Sequence, residues 1–331
     1  MTDTQAEHGH FPMDVIACEN IDRLINVEMR SHGSLPRGLK WPMYLMARDA
    51  AGMSLVEAAA REFARPPSKV LLVSGAAVPG HMPVGENDGP LGSVVLAKAL
   101  AAMGNQVSIL TDPAAAEPFR GLLRAIGLKV EVIELGLDDV PLQERLAAEN
   151  DIFCAIERLG GNTNGIIYGA TGVSRASHRA NLDHLFRTAR MLGKRTIGIG
   201  DGGNEIGCGN IYESLSREMP EYAYKDTTPC GGGVYSVVET DVLLIANSSN
   251  MGANGLTAGL ALLRQDLSLC HTPDAELALA HIGVGLGLID GGSGKLRPWC
   301  DGVPPEANAA IVQAMHTIVA QSLAPASTRQ F

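Results

Sequence analysis

The stretch Thr196-Ile197-Gly198-Ile199-Gly200-Asp201-Gly202-Gly203-Asn204-Glu205-Ile206-Gly207 sets the reading of the whole chain. It opens as a short apolar strand, turns on glycines and runs into a helix-like segment. Gly198, Gly200 and Gly203 satisfy a formal G-x-G-x-x-G, the pattern of a dinucleotide cradle. Two carboxylates argue against that ligand. Asp201 falls where backbone N–H groups should meet phosphate, and Glu205 stands in the first turn of the segment that follows, where negative charge opposes a pyrophosphate. The pattern also wants an acid at the end of the next strand, about 20 residues on, and SLSREMPEYAYKD there reads as helix and loop. The loop is better read as one wall of a cation site.

Working outward, strand-like runs recur at 69–75, 106–111, 129–135, 151–157, 195–200 and 241–247. Helical patterns lie near 89–103, 114–126, 139–148, 179–192, 204–218 and 252–265, with a last helix over 304–323. Strand and helix alternating at this spacing predict an α/β fold, a doubly wound and mostly parallel sheet of Rossmann-like kind. Before it, residues 14–66 have helical periodicity, with Ser54 as an N-cap, and form a helical N-terminal extension. Residues 1–13 read as a disordered lead, and 67–331 as one α/β domain. The glycine-rich run HIGVGLGLID (281–290) reads as a buried strand in preference to a subunit contact.

The chain has 331 residues, and its 26 basic against 36 acidic residues give a net charge of −10. With no Lys/Arg run, nucleic acid and anionic membrane are not expected partners. No apolar run approaches the length of a membrane span and the start lacks a signal-peptide pattern, so a soluble cytoplasmic protein is expected, with homo-oligomerisation open. Six scattered cysteines without a C-x-x-C pair read as buried thiols. GGSGKL (291–296) fails as a phosphate loop: Ile289 stands at the first glycine position and Leu296 where Ser or Thr must touch magnesium. There is no G-x-S-x-G elbow either.

Ligands of such sheets bind beyond the carboxyl ends of the strands. The segments there are rich in Gly and Asn, and they place Glu86, Asp88, Glu157, Asp201 and Glu205 on one rim. Each acid alone has an ordinary reading as a solvated charge or helix cap, Asp88 for the helix at Gly89-Pro90 being the plainest case. Several together require a shared proton, a paired base or a divalent cation, and oxygen donors suit Mg²⁺ or Mn²⁺. His81 is the only histidine in these loops and a weak ligand candidate. Ser248-Ser249-Asn250 opens a helix, where it could bind a substrate carboxylate or simply cap.

GENDGPLGSVVLAKAL (85–100), AIERLGGNTNGIIYG (155–169), IGIGDGGNEIGCGN (198–210), ANSSNMGANGL (246–256) and IDGGSG…DGVPP (289–305) together resemble the D-glutamate cyclase domain family over about 85–305. The resemblance implies conversion of D-glutamate into 5-oxo-D-proline and water by a divalent-metal-dependent lyase acting on a small amino acid. It suggests Asp88, Asp201, Glu157 and Glu86 as metal ligands and Asp201, Glu205 and Glu157 as catalytic groups. Arg158, Asn204, Ser248, Ser249, Asn250, Gly202 and Gly203 are then candidates for substrate binding. The family pattern has threonine at Asn87, methionine at Cys208 and tryptophan at Met251; the last difference is expected to reshape the substrate pocket. A metal-assisted hydrolase of a phosphate or carboxylic derivative is the alternative, and a non-catalytic sensor a third reading.

Overall fold

A computed structural model describes residues 14–30, 38–65 and 67–325; the expected lead at 1–13 lies outside them. The elements follow in the order α1 (Val15–Ile25), α2 (Lys40–Ala51), α3 (Leu55–Arg61), β1 (Lys69–Val73), α4 (Pro90–Ala102), β2 (Gln106–Thr111), α5 (Ala116–Ala125), β3 (Glu131–Glu134), α6 (Val140–Glu149), β4 (Ile152–Ile156), α7 (Asp183–Met191), β5 (Arg195–Gly200), α8 (Tyr212–Glu218), β6 (Val242–Ile245), α9 (Ser249–Arg264), α10 (Pro273–Gly285) and α11 (Pro305–Leu323). All strand pairs are parallel, in the order β3-β2-β1-β4-β5-β6. This is the doubly wound Rossmann-like arrangement, and chain direction across the sheet reverses between β1 and β4.

The apolar runs without alternation are explained by burial on both faces. Val70 and Leu72 of β1 join a core with α4, α9 and the N-terminal helices, while Leu71 and Val73 join one with Leu185 and Phe186 of α7. The period of two along a strand thus feeds two separate hydrophobic layers. Ser54 caps α3 by accepting from the Glu57 N–H at 3.2 Å, as read from sequence. Asp22 in α1 accepts from the Leu55 and Val56 N–H groups at 2.8 and 3.0 Å, tying α1 to the start of α3.

HIGVGLGLID departs from its expected strand. Its first half ends α10, and Ile289 meets Glu86 through a lone bridge. Gly283 is in the helix because it faces Asn87 and Leu91 closely: an added Cβ would lie 2.9 Å from Asn87 Oδ1. The glycines therefore serve a helix that approaches a loop, and a short apolar run does not separate that case from a buried strand.

Candidate active site

The carboxyl ends of β1, β4, β5 and β6 meet beside the switch point between β1 and β4. Glu157 follows β4 directly and is held at φ +54. Among the described residues the other non-glycine left-handed positions are Tyr224, Gln265 and Asp301. Glu157, Tyr224 and Asp301 all line one cavity. A left-handed conformation costs a side-chain-bearing residue about 1–3 kcal/mol, and such strain collects where function fixes a side chain.

Asp88 does not cap α4, which it precedes; that helix starts from Gly89 at φ +93. Its two oxygens instead accept from the Ser249 and Asn250 N–H groups at 3.0 and 2.7 Å, at the N-terminus of α9. Glu157 Oε2 accepts from Ser249 Oγ at 2.5 Å. Asp88, Glu157 and Asp201 each offer a carboxylate oxygen within 4.8 Å of the others. Burial, then Asp301, pushes Asp88 up to about 7; burial, Asp301 and Asp88 push Glu86 up to about 8. Glu157 is also raised, by burial first and then by Asp201, Glu205, Asp88 and Glu86. Three crowded oxygen donors under this repulsion fit a hard divalent cation, which would replace the protons they otherwise retain.

One cation is already built in. Lys40, at the start of α2, is buried and donates to Asp201 Oδ2, to the Asn247 carbonyl and to Asp301 Oδ2, the last at 3.0 Å. Burial alone would lower its pKa, but Asp201 and Asp301 more than reverse this. Asp301 likewise is held below its usual value, because Lys40 and a hydrogen bond with Asp201 outweigh burial. Asp201 goes the other way, raised by burial despite Lys40, with Asp301, Asp88 and Glu205 adding to the rise. Burial and the neighbouring acids thus oppose Lys40 at Asp201, while Lys40 prevails at Asp301.

Glu205 occupies the loop that opened the sequence reading. Its carboxylate accepts from the N–H groups of Gly202 at 2.8 Å, Gly203 at 2.9 Å and Asp201 at 3.3 Å. The N–H cradle of the formal G-x-G-x-x-G is therefore filled by a side chain of the same loop. Gly202 leaves room for it: a Cβ there would lie 3.0 Å from Glu205 Oε1.

The cavity encloses about 260 Å³, a volume for a small metabolite. Glu86, Glu157, Asp201, Gly202, Asn204 and Glu205 line it, and Lys40 and Asp301 close one side. Asn204 is oriented by donating to the Tyr168 carbonyl at 2.8 Å. Ser248, Ser249, Asn250 and Gly203 are buried outside the lining, and the N–H groups expected to meet a substrate carboxylate are taken by Asp88. Ser248 caps α9 through the Met251 N–H at 3.2 Å. Arg158 is also elsewhere. Its guanidinium grips both oxygens of Asp112 and donates to the Ala180 carbonyl at 2.7 Å, so its charge is consumed within the fold. His81 is exposed and outside the lining, and Met251 is packed into the core, so its difference from the family pattern does not touch the cavity wall.

Lys40, Asp301, Arg175 and Arg179 were not read from sequence, and all four line the cavity. Asp301 stood within a quoted motif but follows no strand; Lys40 sits on a helix of the extension with nothing in its spacing to mark it. Among the described residues no helix is long and apolar enough to cross a membrane.

A family model described as "D-glutamate cyclase-like, C-terminal" matches residues 27–316. The chain is also similar to the human protein named "D-glutamate cyclase, mitochondrial", with 28% identity over 198 residues. That alignment covers 55% of this chain and 31% of the human one, so the chain spans about a third of the length of that curated relative.

Proposed function

Because the chain belongs to the D-glutamate cyclase-like family, matched over residues 27–316, we propose that it cyclises D-glutamate, or a close amino-acid analogue, to 5-oxo-D-proline with loss of water. The observation that carries this reading is the cluster of Asp88, Glu157 and Asp201, of which Glu157 and Asp201 line a small cavity together with Glu86. The human relative's name supplies the substrate.

The reaction forms a bond from the α-nitrogen to the carbon of the γ-carboxyl group and breaks one C–O bond there. Two protons of the α-ammonium leave with the departing oxygen as water. The chain must therefore take protons from nitrogen and deliver them to oxygen. Glu86, raised to about 8 and free of hydrogen-bond donors among the described residues, is the carboxylate suited to that exchange near neutral pH. Glu86 then returns the protons it takes to the leaving oxygen. A divalent cation, Mn²⁺ or Mg²⁺, held by Asp88, Glu157 and Asp201 would polarise the γ-carboxyl as a Lewis acid. Lys40 positions Asp201 from the opposite side, and Glu205 holds the glycine loop in shape. The filled cradle counts against the alternative of phosphate-ester hydrolysis, since the N–H groups that would meet phosphate are taken.

Incubation with D-glutamate, with and without Mn²⁺ or Mg²⁺, should consume primary amine and yield a product lighter by one water. Asp201→Asn should abolish this. Unchanged amine in every metal condition, or full activity in the variant, would refute the proposal.

A further inference from the structure

The cavity lining also carries charge of the opposite sign that the chemistry above leaves unused. Arg175 and Arg179 stand on the long connection between β4 and α7 and line the cavity together with Glu86, Glu157 and Asp201. Three arginines cluster in this part of the molecule, and their fates differ. Arg158 is neutralised by Asp112, whose Oδ1 also accepts from the Ala180 N–H at 2.8 Å. Arg179 is 4% exposed and has no carboxylate partner within ion-pair distance among the described residues. Its Nη2 donates to the Gly75 carbonyl at 2.6 Å, and its Nε is buried with no hydrogen-bond partner. Burial, then Arg158, brings its pKa down to about 10, which still leaves it cationic at neutral pH.

Arg175 is half-buried, and its guanidinium has no hydrogen bond or ion pair among the described residues. It lies flat on Gly169, where an added Cβ would be 2.6 Å from Nη2 and 3.0 Å from Nε. Gly169 needs no left-handed φ, so the missing side chain serves the arginine and not the turn. Carboxylates act on these two arginines only from beyond ion-pair distance; a buried guanidinium without an ion pair of its own is costly, and the cost is met when an anion arrives with the ligand.

We propose that Arg175 and Arg179 form a carboxylate subsite for the substrate group that the reaction spares, the α-carboxylate of the amino acid. The subsite rests on the cyclase reading for the identity of that group. Carboxylates and guanidinium forks share the lining, so the cavity offers partners to both charges of a zwitterion, acids to its ammonium and the arginines to its α-carboxylate. The forks match a planar carboxylate and make charge-assisted hydrogen bonds. The subsite therefore separates D-glutamate from 4-aminobutyrate, which can close the same ring but lacks this group, and from the α-amide of D-glutamate.

The test compares D-glutamate with its α-amide, by calorimetric binding and by turnover, in the wild type, Arg175→Met, Arg179→Met and Gly169→Ala. Loss of one charge-assisted contact should weaken D-glutamate binding and raise its KM on the order of 10- to 100-fold, with the α-amide affected about threefold or less. Gly169→Ala, which displaces Arg175 without removing charge, should act in the same direction, and Arg175→Met guards against Arg179→Met failing to fold. Variants that keep the wild-type preference for D-glutamate overturn the subsite while leaving the cyclase reading intact. A wild type that binds D-glutamate through these arginines without cyclising it sinks the cyclase reading and retains the subsite. A wild type that binds neither compound overturns both.

Discussion

Replacing Glu157 with glutamine should stabilise the metal-free protein, and should do so only at high pH. The substitution keeps the shape of the side chain and can retain the contact with Ser249 Oγ, but removes a charge from a triad whose oxygens lie within 4.8 Å. Two unit charges 4.8 Å apart repel by about 3.5 kcal/mol at an effective dielectric of about 20. The folded-state pKa of Glu157 is raised, chiefly by burial and then by its carboxylate neighbours. A raised carboxyl favours folding below its ordinary range, where both states are protonated or the folded state holds the extra proton, and this contribution is lost as pH rises through the folded value. Glutamine has no such loss. Urea denaturation followed by circular dichroism, in chelator, should therefore show the variant more stable by about 3 kcal/mol near pH 9 and equal to wild type near pH 5. Millimolar Mn²⁺ should reverse the order, stabilising the wild type more than the variant. Parallel pH profiles, or a variant less stable throughout, would refute the claim that burial and its acidic neighbours make an ionised Glu157 costly.

Three further outcomes follow from the same geometry. Lys40→Met leaves Asp201 and Asp301 facing each other in the interior and should cost about 3–5 kcal/mol in a urea titration, with Mn²⁺ recovering more in the variant than in the wild type. Asp112→Ala strands the buried Arg158 and should cost a similar 3–5 kcal/mol, readable as a lowered denaturation midpoint. Gly198→Ala would put a Cβ 2.2 Å from the Ile206 carbonyl and 2.8 Å from Gly207 Cα. Both are backbone atoms that cannot swing aside, so a loss above about 3 kcal/mol is expected, seen as poor soluble yield or a sharply lowered melting temperature.

The sheet was readable because most of its strands are short apolar runs followed by turn-forming loops: β2 and β5 fall at 106–111 and 195–200, as their patterns predict. The acidic rim was readable by the same logic, since strand order places strand ends together whatever the side chains do. Side-chain partnership was not. Asp88 looked like the cap of the helix it precedes and caps one 161 residues further on. Arg158, beside Glu157 in sequence, turns from the cavity to Asp112, while Arg175 and Arg179 reach the cavity from the connection before α7, which starts at Asp183 and not at 179 as its pattern suggests. Lys40 is joined to Asp201 across 161 positions, and a lone lysine on an amphipathic helix carries no mark of where its ammonium ends. Local pattern reports which face of an element is buried; it is silent on which of several nearby opposite charges a buried one will meet.

The glutamate lodged in the glycine loop has a bearing on what the protein ignores. A doubly wound sheet with a free N–H cradle at its switch point is open to nucleotides and to phosphorylated metabolites of every kind. Here the cradle carries its own resident anion, tethered two to four residues away at effectively permanent saturation. Any phosphate seeking those donors must displace a carboxylate that cannot diffuse off and must approach a ring of further acids. The loop thus works as a filter as well as a wall: its own carboxylate competes with any phosphate for those donors.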